Sequence, residues 1–125
     1  MKRGDIWTLQ DDAYASKPRR VVIIQGNLDD LDSVILCLLT SFGRPASASR
    51  VLVDPNSANG LNKVSYVMAD KLLTVRKSQL GDKVGELTDK QMHEISRALA
   101  SVLQITHADL ACSTPAHCAA SSPSS

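Results

Sequence analysis

The amino-acid sequence predicts a mainly β domain that is closed by one C-terminal helix. Short apolar runs separated by turn residues recur through residues 4–87, which is the pattern of a small barrel or sandwich. From residue 88 the apolar spacing changes to that of a helix. After residue 106 the sequence is rich in Ala, Ser and Pro and has no period. We therefore expect a folded domain over residues 1–106 and a poorly ordered tail over residues 107–125.

The predicted strands are apolar runs that end at polar or turn residues. In chain order they are GDIWTL, VVIIQ (residues 21–25), SVILCLLT (33–40), RVLVD (50–54), VSYVM, KLLTV and KVGEL. VVIIQ and SVILCLLT are continuous apolar runs, short enough for strands that are buried on both faces. After RVLVD, Asp54-Pro55 and Asn59-Gly60 are strong turn signals.

The helix is predicted from its start signal and from the spacing of its apolar residues. Thr88 and Gln91 fit a capping box, in which each side chain bonds the backbone of the other residue. Apolar residues then recur at helical spacing over about four turns. They are Met92, Ile95, Leu99, Val102 and Leu103. This stripe must cover an apolar surface, and the sheet is the expected partner.

Composition limits the ways in which this chain can bind its targets. The 125 residues suffice for one modest core. Trp7, Tyr14, Phe42 and Tyr66 are the only aromatic residues, so Val, Ile and Leu must build that core. Such scarcity argues against stacking successive RNA bases on an aromatic sheet. The net charge of +1 does not favour nucleic acid by bulk charge, so RNA binding would need a local cluster of positive charge.

The sequence also bears on cellular location and metal binding. It holds no apolar run near the roughly 20 residues that cross a membrane, and its start lacks the apolar segment of a signal peptide. We expect a cytoplasmic protein. Cys37 is expected to be a buried small apolar residue. Cys112, Cys118 and His117 lack the paired spacing of a zinc site, so we expect no metal and no cofactor.

Common catalytic motifs are missing from the sequence. It contains no P-loop, HExxH, GxSxG or CxxC pattern. His93 lies on the predicted helix, and His107 and His117 lie in the predicted tail, which does not fit a ribonuclease with two catalytic histidines. A nuclease built on this chain must take its acid and base from other side chains, or from a metal with no evident ligand cluster.

Lys17-Pro18-Arg19-Arg20, directly before VVIIQ, is the most distinctive local feature. One interpretation is a solubilising charge run beside a strand. The other is a phosphate clamp, since guanidinium groups offer fixed, forked donors to phosphate oxygens. The residues by themselves leave both interpretations open.

Two further features lie at the ends of predicted strands. Thr40-Ser41 closes SVILCLLT, either as a strand that runs into a polar loop or as functional hydroxyls. Asp70-Lys71 follows VSYVM, where an Asp interrupts the β propensity of the surrounding residues. It marks either a turn or a functional carboxylate.

The order of these features resembles the MazF/PemK toxin family. The shared order is MKRGDIW at the start, a basic residue leading into an apolar strand, and a second apolar strand ending in Thr-Ser. GLNKVSYVMADKLLTVRKSQLGDKVGELTDKQMHEISRALASVL continues it with an acidic residue near ADK, a Thr in LLTV, a GEL strand and a closing helix. The resemblance covers roughly the first 105 residues.

The resemblance implies a fold, an activity and partners. The fold is a small SH3-like β-barrel with a C-terminal helix, the MazF/PemK/CcdB-type toxin fold, paired into a symmetric homodimer. The activity is that of a type II toxin–antitoxin system: sequence-specific, metal-independent cleavage of single-stranded RNA by 2′-OH attack on the phosphate. The implied partners are single-stranded RNA (messenger, transfer or ribosomal) and a cognate antitoxin protein, with no membrane.

The resemblance also assigns roles to individual residues. Arg19, before VVII, matches the family's catalytic Arg, and Thr40, at the end of LCLLT, matches its catalytic Thr. Asp70 matches a position that is acidic in several members and serves as a base in some. Arg20 is the alternative to Arg19, one position further along. The expected RNA-binding residues are Lys17, Arg20, Asn27, Ser41 and Lys71.

The sequence departs from the family pattern at two points, and two other functions compete. DDAYASKPRR is shorter than the usual loop and has Pro18 before Arg19, and Met68 stands where some members have an Arg. One alternative is a toxin of the same fold that acts on a protein such as DNA gyrase through its C-terminus, which a Ser/Ala/Pro tail disfavours. The other is an SH3-like binding module, whose aromatic-lined groove this chain cannot easily supply.

Overall fold

Six strands and two helices form from the described parts of the chain. The computed structural model describes residues 1–10, 18–26, 31–41 and 49–111. The strands are β1 (Asp5–Leu9), β2 (Arg19–Ile23), β3 (Ser33–Thr40), β4 (Arg50–Val53), β5 (Ser65–Arg76) and β6 (Leu80–Glu86). A 3₁₀ helix (Lys77–Gln79) joins β5 to β6, and the helices α1 (Asp89–Leu103) and α2 (His107–Leu110) follow.

The strands pair into one antiparallel sheet. Their order is β4-β5-β3-β2-β1-β6, which places β3 between β2 and β5. The predicted mainly β fold with a closing helix is confirmed. The expected closure into a barrel is wrong for the described residues, because β4 and β6 end the sheet order and do not pair with each other.

Both faces of the central strands are apolar, and each face has its own core cluster. Val22 and Cys37 belong to the cluster that α1 covers, while Val21 and Leu36 belong to a second cluster on the opposite face. Because side chains alternate along a strand, a continuous apolar run supplies both clusters at once. The prediction of strands buried on both faces is therefore confirmed for β2 and for most of β3.

VSYVM and KLLTV form one strand, so the prediction of two separate strands is wrong. β5 pairs with β3 over the whole length of β3, from Ser33↔Arg76 to Thr40↔Tyr66. The register shifts at Cys37/Leu38, where β5 accommodates extra residues around Asp70 as a β-bulge. The turn interpretation of Asp70 is therefore also wrong, because long-range pairing on both sides carries the strand through this position.

The helix begins as predicted but covers less of the sheet than predicted. The Thr88 side chain accepts a hydrogen bond from the Gln91 backbone N–H and the Gln91 side chain accepts one from Thr88, which confirms the capping box. The buried residues of α1 are Met92, Ile95 and Ala98. Val102 and Leu103 are 37% and 52% exposed, so their expected packing on the sheet is wrong. The first residues of the predicted tail form α2, and residues 112–125 lie outside the described part.

The loop after β4 is built around a buried asparagine. Asn59 is fully buried, and its Oδ1 accepts hydrogen bonds from the backbone N–H groups of Asn56 and Leu61, at 3.0 Å each. Gly60 adopts a φ of +67°, which a side chain would strain, and an added Cβ would meet a backbone oxygen of β6. The predicted turn at Asn59-Gly60 is confirmed, and it packs closely on β6.

Candidate active site

Arg19 begins β2 and Thr40 ends β3, which is the neighbour of β2 in the sheet. β2 and β3 pair as Val21↔Leu38, Val22↔Cys37 and Ile23↔Leu36. Continuing this register by two residues places Arg19 opposite Thr40. Directly opposed residues of antiparallel strands project from the same face, with Cβ atoms about 4.5–5.5 Å apart. The register therefore predicts that these two side chains lie close together on one face of the sheet.

Arg20 lies on the other face. Arg20 opposes Thr8 of β1 and shares its face with Val22, on the side that α1 covers, whereas Arg19 shares its face with Val21. The geometry thus separates the two candidate arginines, and Arg19 is the one on the same face as Thr40.

The row that contains Arg19 and Thr40 continues across two more strands. Thr40 opposes Tyr66 of β5, and Tyr66 opposes Leu52 of β4. Tyr66 is half-buried and Leu52 is 42% exposed. One face therefore presents, in order, a cation, a hydroxyl, an aromatic ring and an exposed apolar side chain.

Asp70 lies further along β5 from this row. Its carboxylate is 3.4 Å from Arg50 Nε and 3.6 Å from Lys71 Nζ. Three residues separate Tyr66 from Asp70, and they lead into the β-bulge of β5, which departs from the regular spacing of a strand. A ligand shared by Asp70, Arg19 and Thr40 would therefore have to reach from this row of side chains to the bulge.

The thiol of Cys37, on β3, is protonated at neutral pH. Burial raises the pKa of Cys37 from its ordinary 9.0 to about 12, and the negative charge of Asp70 adds to the shift. A thiolate is the nucleophilic form of cysteine, so Cys37 offers no nucleophile. The prediction of a buried apolar role for this residue is confirmed, since Cys37 is 0% exposed.

Several predicted site residues remain outside this description. Lys17 and Asn27 lie outside the described residues, as do Cys112, His117 and Cys118. Ser41 is exposed directly after β3. Among the described residues, no three His, Cys, Asp or Glu side chains are grouped so that they could hold a metal ion. Nor is any helix in the described part long and apolar enough to span a membrane.

Two residues of this face were missed from the sequence. Arg50 contacts Asp70, and Tyr66 stands beside Thr40, through pairings that join strands far apart in the chain. Arg50 opposes Met68 of β5, two residues before Asp70. Finding either residue requires the register of β5 with its neighbouring strands, and the pattern of apolar residues does not predict that register.

Comparison with known proteins identifies the family. Residues 2–103 match the family described as PemK-like, MazF-like toxin of type II toxin–antitoxin system. The chain belongs to the MazF/PemK toxin family. Within it, a probable endoribonuclease MazF of Mycolicibacterium smegmatis is 40% identical over 107 residues, covering 84% of this chain and 98% of that protein.

Solved structures of MazF/PemK toxins share this fold. One is an endoribonuclease in complex with its cognate antitoxin from a mycobacterial species, with a TM-score of 0.74 and 30% identity, covering 85% of this chain and 97% of that one. The Mycobacterium tuberculosis toxin MazF-mt6 superposes with a TM-score of 0.70 and 28% identity, covering 82% and 98%. The resemblance to the MazF/PemK family, which the order of motifs in the sequence indicated, is thus confirmed.

Proposed function

We propose that this MazF-family endoribonuclease cleaves single-stranded RNA at short sequence motifs, without metal, by attack of a 2′-hydroxyl on the adjacent phosphate. The observation that carries the proposal is the register of β2 with β3, which, continued by two residues, sets Arg19 opposite Thr40 on one face. A fixed cation and a hydroxyl donor on adjacent strands suit a phosphate whose negative charge grows during the reaction.

The chemical step follows from these two side chains. The 2′-oxygen forms a bond to phosphorus while the bond from phosphorus to the 5′-oxygen breaks, which leaves a 2′,3′-cyclic phosphate and a 5′-hydroxyl. Arg19 stabilises charge on the non-bridging oxygens, and Thr40 donates a hydrogen bond to one of them. Because a guanidinium does not release its proton readily, we assign protonation of the leaving oxygen to solvent.

Asp70 is the proposed general base. An ionised carboxylate within hydrogen-bond reach of the 2′-hydroxyl can accept its proton during attack. The pairs with Arg50 and Lys71 fix this carboxylate in the bulge of β5. For this role, Asp70 must lie within hydrogen-bond reach of the 2′-hydroxyl while Arg19 and Thr40 hold the adjacent phosphate, so the proposal requires all three side chains to meet around one nucleotide when RNA is bound. Lys71, Ser41, Arg20, Lys17 and Asn27 are proposed contacts to the remainder of the RNA.

The toxin is further proposed to act in the cytoplasm as a homodimer with a cognate antitoxin. The similar endoribonuclease that was solved with its cognate antitoxin supports the partner. The apolar side chains of Val102, Leu103 and Leu110 are 37%, 52% and 72% exposed, which supports burial against a second protein surface. Light scattering of the purified protein at micromolar concentration should give twice the mass of one chain, and a monomeric mass would contradict the homodimer.

One experiment tests the reaction. The purified protein is incubated with a long defined RNA in EDTA, and the 5′ ends of the products are mapped. We expect cleavage at a short recurrent motif, with products that accept a 5′ label from a kinase without phosphatase treatment and carry a cyclic phosphate at the 3′ end. An Arg19→Ala preparation is the matched control for contaminating ribonuclease.

The other outcomes each remove a defined part of the proposal. Cleavage that EDTA abolishes and magnesium restores would contradict metal independence. Cleavage at random positions would contradict recognition of a motif. RNA that stays intact both in EDTA and with added magnesium would contradict the ribonuclease reaction and favour a protein target such as DNA gyrase.

A further inference from the structure

Tyr66 has the position and the chemistry to bind a nucleobase beside the candidate cleavage site. Tyr66 opposes Thr40 on β5, on the same face as Thr40 and Arg19. Adjacent strands are about 4.8 Å apart, so its backbone lies one strand beyond Thr40 and two beyond Arg19. If Arg19 and Thr40 hold a phosphate, one of the two nucleotides joined by that phosphate can place its base over the ring of Tyr66.

Tyr66 is half-buried and lies outside both apolar clusters that the described residues form. The other aromatic residue of the described part, Trp7, packs against the second cluster, and its indole nitrogen is buried. Leu52, opposite Tyr66 on the edge strand β4, is 42% exposed and extends the apolar surface past the ring.

Arg19 and Thr40 can hold a phosphate but cannot read a sequence. Contacts to phosphate position a nucleic acid without carrying sequence information. Single-stranded RNA is read through bases that are unstacked from their neighbours and packed on aromatic side chains. We propose that Tyr66 stacks on the base next to the scissile phosphate, with Leu52 as the floor of this base subsite. The inference rests on the proposed ribonuclease function and adds to it a residue that helps to select the cleavage site.

Single-residue variants separate stacking from a structural role. The cleavage motif is first mapped on a long RNA, and a short RNA with this motif and one 2′-deoxy sugar at the cleaved position then serves as an uncleavable probe. Tyr66→Ala is expected to weaken binding of this probe about 5- to 150-fold, the range for loss of one base–aromatic stack. Tyr66→Phe should keep near wild-type affinity, since it retains the ring. Tyr66→Leu, which keeps apolar bulk without an aromatic face, should fall between them.

A second probe with an abasic site at the base beside the cleaved phosphate makes the test specific. The wild-type protein should bind the abasic probe as weakly as Tyr66→Ala binds the intact one, and Tyr66→Ala should not discriminate between the two probes. Leu52→Ala is the neighbouring control, with a smaller loss. Thermal unfolding of each variant checks that the fold is retained.

Three results would overturn the proposal. They are equal binding by Tyr66→Ala and wild type, an equal loss by Tyr66→Ala on intact and abasic probes, and a loss by Tyr66→Phe as large as that by Tyr66→Ala. If the wild-type protein cleaves RNA and one of these results is found, base stacking fails and the ribonuclease function stands. If the wild-type protein cleaves no RNA, both proposals fail together.

Discussion

The Asp70 carboxylate lies 3.4 Å from Nε of Arg50, across the pairing between the edge strand β4 and the bulge of β5. Lys71 Nζ approaches the other carboxylate oxygen at 3.6 Å. The Arg50 and Asp70 side chains are 24% and 33% exposed, so the pair is partly open to solvent. A carboxylate that is fixed by neighbouring cations and still reachable from solvent can meet a ligand without rearrangement.

Asp70→Asn tests whether this carboxylate acts as the base. The substitution keeps the shape of the side chain but removes its capacity to accept a proton. We expect a rate of the chemical step about a hundredfold to ten-thousandfold lower than wild type. Single-turnover cleavage at saturating RNA measures this rate.

Arg50→Gln is the control for the ion pair itself. An ion pair open to solvent contributes about 0–1 kcal/mol to stability, so both variants should unfold close to the wild-type midpoint. Arg50→Gln should retain most of the cleavage rate, because the carboxylate is still present. A wild-type rate for Asp70→Asn would mean that the base is another group.

Arg19→Ala and Thr40→Ala are expected to slow cleavage without unfolding the protein. Each removes one preorganised group that faces growing negative charge, which typically costs a hundredfold to a thousandfold in rate. Thr40→Ser retains the hydroxyl and should recover most of the activity. Single-turnover rates at saturating RNA report on the chemical step, and circular dichroism checks the fold.

Arg20→Ala provides the matched comparison with Arg19→Ala. Arg20 lies on the opposite face of β2, so its loss should leave the chemical step near wild type. If Arg20 contacts one RNA phosphate, the salt dependence of binding falls by about one ion. A larger loss of rate from Arg20→Ala than from Arg19→Ala would place the site on the helix-covered face.

Arg19 and Arg20 show how much of the site can be predicted from the sequence. Apolar runs and turn residues located every strand, because alternate burial and chain reversal are local requirements. The same alternation, extended back from Val21 and Val22, separates Arg19 from Arg20 once the strand is known to begin at Arg19. The sequence placed that start two residues later, since charged residues do not mark a strand.

The structure of β5 could not be predicted from the sequence, because it depends on pairing with strands that are distant in the chain. An Asp between two apolar runs is typical of a turn, yet β3 and β4 hold β5 together on both sides of Asp70. Propensity is weaker than this pairing, and the extra residues are accommodated as a bulge. The contact of Arg50 with Asp70 depends on the same register and was therefore not predictable from local sequence. The buried position of Cys37, by contrast, was predictable, because this residue lies within a continuous apolar run.

Asn59→Ala is expected to destabilise the fold by about 3 kcal/mol. Its Oδ1 accepts hydrogen bonds from Asn56 N and Leu61 N, and its Nδ2 donates one to the Asp54 carbonyl at 2.8 Å. Each buried hydrogen bond contributes about 1 kcal/mol, and the unpaired backbone groups add to the loss. Urea unfolding monitored by circular dichroism measures the change in the free energy of unfolding.

Two variants bracket the Asn59 result. Asn62→Ala, at an exposed position of the same loop, should change stability by less than about 0.5 kcal/mol. Asn59→Asp keeps an oxygen acceptor for the two N–H groups but sets a buried carboxylate against the Asp54 carbonyl, so its loss should be at least as large as that of Asn59→Ala. Equal stability of Asn59→Ala and Asn62→Ala would show that these hydrogen bonds do not stabilise the loop.

The Cys37 thiol makes stability depend on pH in the alkaline range. Burial and the charge of Asp70 raise its pKa from 9.0 to about 12, so the folded state keeps the proton that the unfolded chain loses above pH 9. A raised thiol pKa gives stability that is complete below pH 9 and is lost progressively as pH rises toward 12.

The test uses a background with Cys112→Ser and Cys118→Ser, in which the protein that retains Cys37 is compared with the Cys37→Ala variant, which has no thiol to titrate. The difference in the free energy of unfolding between the two proteins should be constant from pH 7 to 8 and fall by about 1 kcal/mol between pH 9 and 10. Because all other titrating groups are common to both proteins, their contributions cancel, and a difference that stays constant to pH 10 would mean that the folded thiol ionises as readily as the unfolded one.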